Sequence, residues 1–107
     1  MLSMAFHLQD EERSQLQALC RKYAVRRLKL FGSAVTDDFD TTRSDLDLLV
    51  DFAEPPTAMR LSTQFFGFLE ELELLFGRKV DLLEESAIEN SRMRRQAQAN
   101  SVTLYAA

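Results

Sequence analysis

The sequence predicts one small α/β (α+β) domain, a mixed sheet of three to four strands backed by helices. The main observation is that helical and strand-like hydrophobic periods alternate along the chain. At 107 residues, 46% of them hydrophobic, the chain can build one core but is too short for two ordinary domains. No repeat, low-complexity tract or linker interrupts the pattern, so residues 1–107 are predicted to form a single domain.

The first half of the chain predicts a helix and two strands. In residues 9–24, apolar side chains recur at i, i+3, i+4 and i+7, which is typical of a helix with one buried face. Residues 27–31 and 45–50 alternate polar and apolar side chains, as half-buried strands do. Between them, residues 32 and 33 predict a turn, and residues 36–44 predict a loop because they are rich in side chains that bond their own backbone.

The second half predicts two helices and two strands. Residues 57–76 carry apolar side chains at helical spacing, and Gly77 is placed to end that helix. Residues 79–83 predict a third strand. Residues 86–97 begin with capping-box spacing and predict a last helix, and residues 101–105 predict a short final strand.

Two aspartates stand out on the second predicted strand. Asp45 and Asp47 share one face of that strand, because side chains alternate, and their Cα atoms are about 6.5 to 7 Å apart. Their carboxylates can therefore converge on one hard cation. Asp81, on a neighbouring strand, could complete a two-metal site of the kind that magnesium-assisted nucleotidyl transfer requires.

An aspartate pair of this spacing also has a purely structural explanation. Asp-x-Asp is common, and most examples lie on solvated strand faces. Two like charges on one face of an apolar strand are destabilising unless something neutralises them. A bound cation is the simplest neutraliser, and an arginine or lysine across the sheet is the alternative. Gly32 and Ser33 add a second element, because glycine lets backbone amides approach a phosphate and serine can donate to it.

Three segments in this order resemble the minimal nucleotidyltransferases of the DNA polymerase β superfamily. The resemblance covers almost the whole chain and implies the small polymerase-β-like nucleotidyltransferase fold. The segments are Leu30-Phe31-Gly32-Ser33, Ser44-Asp45-Leu46-Asp47-Leu48-Leu49-Val50 and Lys79-Val80-Asp81-Leu82.

The resemblance also implies roles for individual residues. Asp45 and Asp47 would bind metal, two Mg²⁺ ions in all, and Asp81 would complete the metal site or accept the proton of the attacking hydroxyl. The nucleotide-binding residues would be Gly32, Ser33, Arg43 and Ser44. Many relatives have an Arg-Gly pair shortly after Gly-Ser, where this chain has Ala34-Val35-Thr36-Asp37. Arg43 could supply the missing positive charge, and a solvated loop arginine is the alternative.

For function, the resemblance implies transfer of AMP from ATP to a hydroxyl. The implied acceptor is a tyrosine of a HEPN-type RNase toxin, which would make this chain the antitoxin of the pair. One alternative is a catalytically weak antitoxin that binds its partner and occludes it. Another is transfer to a small molecule such as an aminoglycoside, which the absence of a second, acceptor-holding domain disfavours.

Composition excludes several other functions. The net charge of -4 gives duplex nucleic acid no general attraction. No run of eighteen apolar residues and no secretion signal are present, so a cytoplasmic protein without a membrane span is expected. One cysteine, Cys20, and one histidine, His7, cannot form a disulfide or a zinc site, and Cys20 is predicted to be a small core residue. Phe66 is predicted either to form interface surface or to pack beneath a loop.

Overall fold

The computed structural model describes residues 8–31, 46–87 and 101–107, in which helices and strands follow the predicted order. The helices are α1 (Asp10–Lys22) and α2 (Leu61–Phe76). The strands are β1 (Val25–Phe31), β2 (Leu46–Phe52), β3 (Val80–Glu84) and β4 (Val102–Ala106).

The four strands form one mixed sheet in the order β3-β2-β1-β4. β1 is antiparallel to both β2 and β4, whereas β2 and β3 are parallel. Parallel neighbours need a crossover connection, and α2 provides it between β2 and β3. The predicted fold class is therefore confirmed.

One face of the sheet packs against both helices and forms the core. On β2, Leu46, Leu48 and Val50 are completely buried, as the alternation predicts. They pack with residues from both helices, among them Leu16, Cys20, Phe68 and Leu72. Each fully buried leucine of this kind stabilises the fold by roughly 1.5–3 kcal/mol. The opposite face of the sheet, which we call the aspartate face, carries Asp47 and Asp51 on β2 and Asp81 on β3.

Buried contacts fasten α2 to the segments around it. Gln64 is 2% exposed, and its amide donates to the carbonyls of Tyr23, at 2.9 Å, and Ala53, at 3.0 Å. The Tyr23 ring lies over Gly67, where a Cβ atom would come within 2.9 Å of the ring and of the hydroxyl. The Tyr23 hydroxyl donates to Glu71, which also pairs with Lys22 at 3.0 Å.

The start of α2 differs from the prediction. The helix begins at Leu61 rather than at residue 57. Ala58 has a left-handed φ of 70°, and the Met59 amide donates to the Pro56 carbonyl at 2.9 Å, so a turn precedes the helix. The end of the helix is as predicted, because Gly77 adopts a left-handed φ of 65° and its amide donates to the Glu73 carbonyl.

The remaining boundaries shift by a few residues. The predicted first helix ends at Lys22, two residues early, and β1 begins correspondingly at Val25. Of the predicted last helix, residues 86–97, the structure describes only residues 86 and 87, which belong to a short 3₁₀ turn, Glu85–Ala87, and residues 88–97 lie outside the described residues. Within the described ranges, no helix has the length and apolarity that crossing a membrane requires.

Candidate functional site

Asp47 and Asp81 lie side by side on the aspartate face. They are register partners on the parallel strands β2 and β3, so their side chains point to the same side with Cα atoms about 4.8 Å apart. Burial of the flanking residues fixes this orientation: Leu46 and Leu48 are fully buried, and Val80 is 4% exposed. Asp47 is half-buried, whereas Asp81 is exposed. Two of the three predicted carboxylates are therefore brought together.

No basic residue directly faces either aspartate across the sheet. On β1 the register partner of Asp47 is Phe31. Among the described strands β3 lies at the edge of the sheet, and the register partner of Asp81 is Asp47. The base nearest to Asp47 along β1 on this face is Lys29, whose own register partner is Leu49. Two adjacent carboxylates repel, and a donor set made only of oxygens suits Mg²⁺, so these residues fit a hard divalent cation.

A second pair of acidic side chains, Asp51 and Glu85, is neutralised by an arginine of the protein. Arg27 on β1 faces Asp51 on β2, and its Nη2 lies 3.5 Å from Asp51 Oδ2 and 3.6 Å from Glu85 Oε2. The position of Asp51 near the end of its strand predicts a solvated side chain, and this prediction is wrong because the side chain pairs with Arg27. The sequence pattern misses this contact because the partner lies on another strand. The same face thus holds Asp51, which pairs with Arg27, and the two adjacent carboxylates of Asp47 and Asp81.

An apolar cluster separates the two acidic pairs. Leu49, midway between Asp47 and Asp51 on β2, is 1% exposed and packs against Phe31 and Leu83. Apolar neighbours reduce the local dielectric response, which strengthens attraction between a carboxylate and a cation at close range. The cluster therefore favours cation binding beside Asp47.

The remaining predicted site residues lie outside the described residues. These are Gly32, Ser33, Arg43, Ser44 and Asp45. Within the described ranges, no group of three or more histidine, cysteine or acidic side chains is placed to hold a metal, and those ranges contain only two of the three predicted ligands. The roles of the five residues remain predictions.

The predictions for Cys20 and Phe66 can be judged from burial. Cys20 is completely buried in the core, and burial raises the pKa of its thiol to about 12, so it is a core residue, as predicted. Phe66 is 63% exposed and makes an edge contact with the Phe65 ring, so the alternative of packing beneath a loop is wrong.

The sequence pattern does not single out Glu73, which contacts the backbone next to Asp81. Its Oε2 accepts a hydrogen bond of 3.0 Å from the amide of Val80, the residue before Asp81. A glutamate near the end of an amphipathic helix is ordinarily solvated. The one available signal was its position four residues before Gly77, which places it at the turn into β3.

The fold and the paired aspartates are those of a small nucleotidyl-transferring domain. A family model described as nucleotidyltransferase domain matches residues 12–104. The chain therefore belongs to the nucleotidyltransferase domain family, whose substrates are nucleotides.

Curated relatives from two archaea agree with this family. A protein of Methanocaldococcus jannaschii, named provisionally as a protein adenylyltransferase, is 32% identical over 89% of this chain and 92% of its own length. The protein adenylyltransferase MntA of Thermococcus cleftensis is 36% identical over 67% of this chain and 68% of its own length. The predicted enzyme class, a nucleotidyltransferase similar to protein adenylyltransferases, is confirmed.

Solved structures share the fold. One, provisionally described as a minimal nucleotidyltransferase, is 29% identical, covers 86% of this chain and 88% of its own, and gives a TM-score of 0.70. Another holds a tri-AMPylated HEPN toxin of Shewanella oneidensis in complex with MNT antitoxin, and gives a TM-score of 0.61. It is 17% identical and covers 94% of this chain and 74% of its own, so this likeness shows the fold alone.

Proposed function

We propose that this chain is a cytoplasmic, Mg²⁺-dependent nucleotidyltransferase that moves AMP from ATP to a hydroxyl of a partner protein. The observation that carries the proposal is the pairing of Asp47 with Asp81 at one level of the sheet. Two carboxylates placed side by side on neighbouring strands can share one divalent cation, which removes the repulsion between them.

Each site residue has a role in this reaction. Asp47, together with Asp45, holds Mg²⁺, and Asp81 completes that site or takes the proton of the acceptor hydroxyl. Gly32, Ser33, Arg43 and Ser44 hold the triphosphate. The hydroxyl oxygen forms a bond to the α-phosphorus of ATP as the bond from that phosphorus to the bridging oxygen breaks, and pyrophosphate leaves. Bound Mg²⁺ supplies positive charge where negative charge grows on the phosphate oxygens.

The proposed acceptor is a tyrosine of a HEPN-type toxin. Support comes from the relative named protein adenylyltransferase and from the fold shared with an antitoxin seen with an AMPylated HEPN toxin. A single domain of this length has limited surface to enclose both a nucleotide and an acceptor, so a partner protein supplies the second substrate and part of the site.

Intact-protein mass spectrometry tests the proposal. The chain is incubated with Mg-ATP and a candidate HEPN-type toxin, and the expected result is an increase of one or more adenylyl masses on that toxin. Asp47→Asn and Asp81→Asn abolish the increase, whereas the matched control Asp51→Asn, which alters the Arg27 pair instead, retains it. An increase that survives in the Asp47 and Asp81 variants would overturn the proposal.

A binding module that neutralises its partner by occlusion is the second candidate. The observation that favours it is the exposure of Phe66 and Leu74, 63% and 76%, on the outer side of α2, which packs on the face opposite the aspartates. Glu70 lies between them at helical spacing, giving an apolar surface with an acidic centre. If occlusion suffices, a chain carrying both Asp47→Asn and Asp81→Asn still neutralises the toxin, while Phe66→Ser with Leu74→Ser does not.

A further inference from the structure

The side chain of Glu73 joins the end of α2 to the start of β3. Its Oε2 accepts from the Val80 amide at 3.0 Å, and its backbone carbonyl accepts from the Gly77 amide at 2.9 Å. One residue therefore fixes both ends of the short turn that leads from α2 into β3. The next residue along the strand after Val80 is Asp81.

The position of β3 explains why this contact is needed. Among the described strands, β3 lies at the edge of the sheet and pairs with β2. The Lys79 carbonyl accepts from the Leu46 amide on β2 at 3.1 Å, so the Lys79 carbonyl faces β2 and the amide of Val80 faces away from it. No strand in the described part of the chain lies on that side, and the Glu73 carboxylate provides the acceptor for the Val80 amide.

Two hydrogen bonds, from the Val80 amide to Glu73 and from the Leu46 amide to Lys79, hold the backbone next to the two aspartates. Val80 and Leu46 are register partners, and each immediately precedes an aspartate of the site. The bond from Glu73 to Val80 fixes β3 against α2, and the bond from Leu46 to Lys79 fixes β2 against β3. The distance and level of Asp47 and Asp81 therefore depend on a contact made outside the aspartate face.

We propose that Glu73 is a positioning residue, which holds Asp81 level with Asp47 through its hydrogen bond to the Val80 amide. This inference rests on the proposed function, because it assigns Glu73 to the metal site of that reaction. Glu73 touches neither substrate nor metal. Displacing a ligand by about 1 Å is enough to reduce a rate by about 100-fold, which is why a contact of this kind matters.

The test separates the hydrogen bond from the charge. Glu73→Gln keeps an oxygen acceptor, whereas Glu73→Met keeps the length and helix propensity of the side chain without one. Glu11→Met is the matched control, an exposed glutamate on α1, the helix that does not lead into β3. Glu73→Ala is a second variant without an acceptor, should the methionine variant fold poorly.

Three measurements are made on each variant. Amide hydrogen exchange at Val80 is expected to stay slow in wild type, Glu73→Gln and Glu11→Met, and to accelerate at least 10-fold in Glu73→Met. Mn²⁺ binding to the chain alone is expected to weaken at least 10-fold in the same variant. The kcat for AMP transfer is expected to fall roughly 10- to 100-fold, with the KM for ATP changed less than about 3-fold.

Three results would overturn the inference. The first is unchanged Val80 exchange in Glu73→Met. The second is faster exchange with unchanged Mn²⁺ binding and unchanged kcat, which would make Glu73 merely structural. The third is a Glu73→Gln variant as impaired as Glu73→Met. Absence of AMP transfer by the wild type would defeat the proposed function, whereas exchange and Mn²⁺ binding would still decide the role of Glu73.

Discussion

Asp47 and Asp51 lie four residues apart on the same face of β2, yet they meet different neighbours. Asp51 faces Arg27 and forms an ion pair with it, whereas Asp47 faces Phe31 and stands beside Asp81. An exposed ion pair contributes at most about 1 kcal/mol, so the pair at Asp51 is a modest structural contact. Two adjacent acids instead reduce stability, and natural sites tolerate such costs where the reaction needs them.

Replacing the two aspartates separately tests this difference. Asp47→Asn removes a proposed metal ligand, so AMP transfer is expected to fall roughly 100- to 1,000-fold. Asp51→Asn is expected to lower the free energy of unfolding by less than about 1 kcal/mol and to leave AMP transfer unchanged. Thermal melts and transfer assays on both variants measure this. Unchanged AMP transfer in Asp47→Asn would contradict the account.

The reactivity of the Cys20 thiol tests whether α1 packs against the core as described. Burial raises the pKa of its thiol to about 12, so at neutral pH the thiolate that reacts with disulfide reagents is absent from the folded protein. We expect no labelling of the native chain by a disulfide reagent at pH 7, and one equivalent per chain after unfolding in denaturant. Fast labelling of the native protein would show that α1 does not pack as described.

At the scale of elements, α1 and α2 meet through a tyrosine over a glycine. A Cβ atom at Gly67 would lie 2.9 Å from the Tyr23 ring, closer than atoms in a well-packed core allow. Gly67→Ala is therefore expected to destabilise the protein by about 1–3 kcal/mol, although alanine in a helix is otherwise favoured over glycine by about 1 kcal/mol. Urea unfolding measures the change.

A matched control for this variant is Thr63→Ala, an exposed position one turn earlier in α2. Because it removes no contact with α1 and improves helix propensity, it is expected to be neutral or slightly stabilising. A stabilising Gly67→Ala would mean that Tyr23 does not occupy the space over Gly67.

The hydrogen bond from Tyr23 to Glu71 makes the stability of the contact between α1 and α2 depend on pH. That hydrogen bond, together with Lys22, holds the pKa of Glu71 below its ordinary value. A lowered folded-state pKa contributes stability above the unfolded pKa of about 4.3, and this contribution is lost as the pH falls through the folded-state pKa. Tyr23→Phe is expected to cost about 1 kcal/mol at pH 7, with the difference from wild type shrinking below about pH 4.

Denaturant unfolding of the wild type and of Tyr23→Phe from pH 7 to pH 3 measures how this stability difference depends on pH. Glu71→Gln, which lacks the carboxylate, is expected to abolish the same pH dependence. A difference that stays constant down to pH 3 would show that the Glu71 carboxylate is not the acceptor.

At the scale of the whole molecule, the periodicity of the sequence predicts the order of the helices and strands. It does not predict which residues of neighbouring strands lie side by side. Alternation along β2 correctly places Asp47 on the face opposite Leu46 and Leu48, because a strand has only two faces. Alternation cannot say which residue of another strand stands at the same level. The pairing of Asp47 with Asp81 depends on the length of α2 and its turn, and the pairing of Asp51 with Arg27 depends on the register of β1.

Hydrophobic periodicity also does not predict local backbone conformation or hydrogen bonds to backbone amides. The turn before α2 depends on the left-handed backbone of Ala58, and no residue pattern in that segment signals it. The role of Glu73 is hidden for a similar reason, since its partner is a backbone amide, which every residue except proline carries. The family resemblance identifies the aspartates, but the contacts that hold them in place emerge only from the structure.

Calorimetric titration of a non-hydrolysable ATP analogue into the chain, with and without Mg²⁺, tests the metal site most directly. The wild type and Asp51→Asn are expected to bind the analogue at least 10-fold more tightly when Mg²⁺ is present, and a chain with both Asp47→Asn and Asp81→Asn is expected to lose that dependence. Equal binding with and without Mg²⁺ in the wild type, or full Mg²⁺ dependence in the double variant, would contradict the assignment of these aspartates to a metal–nucleotide site.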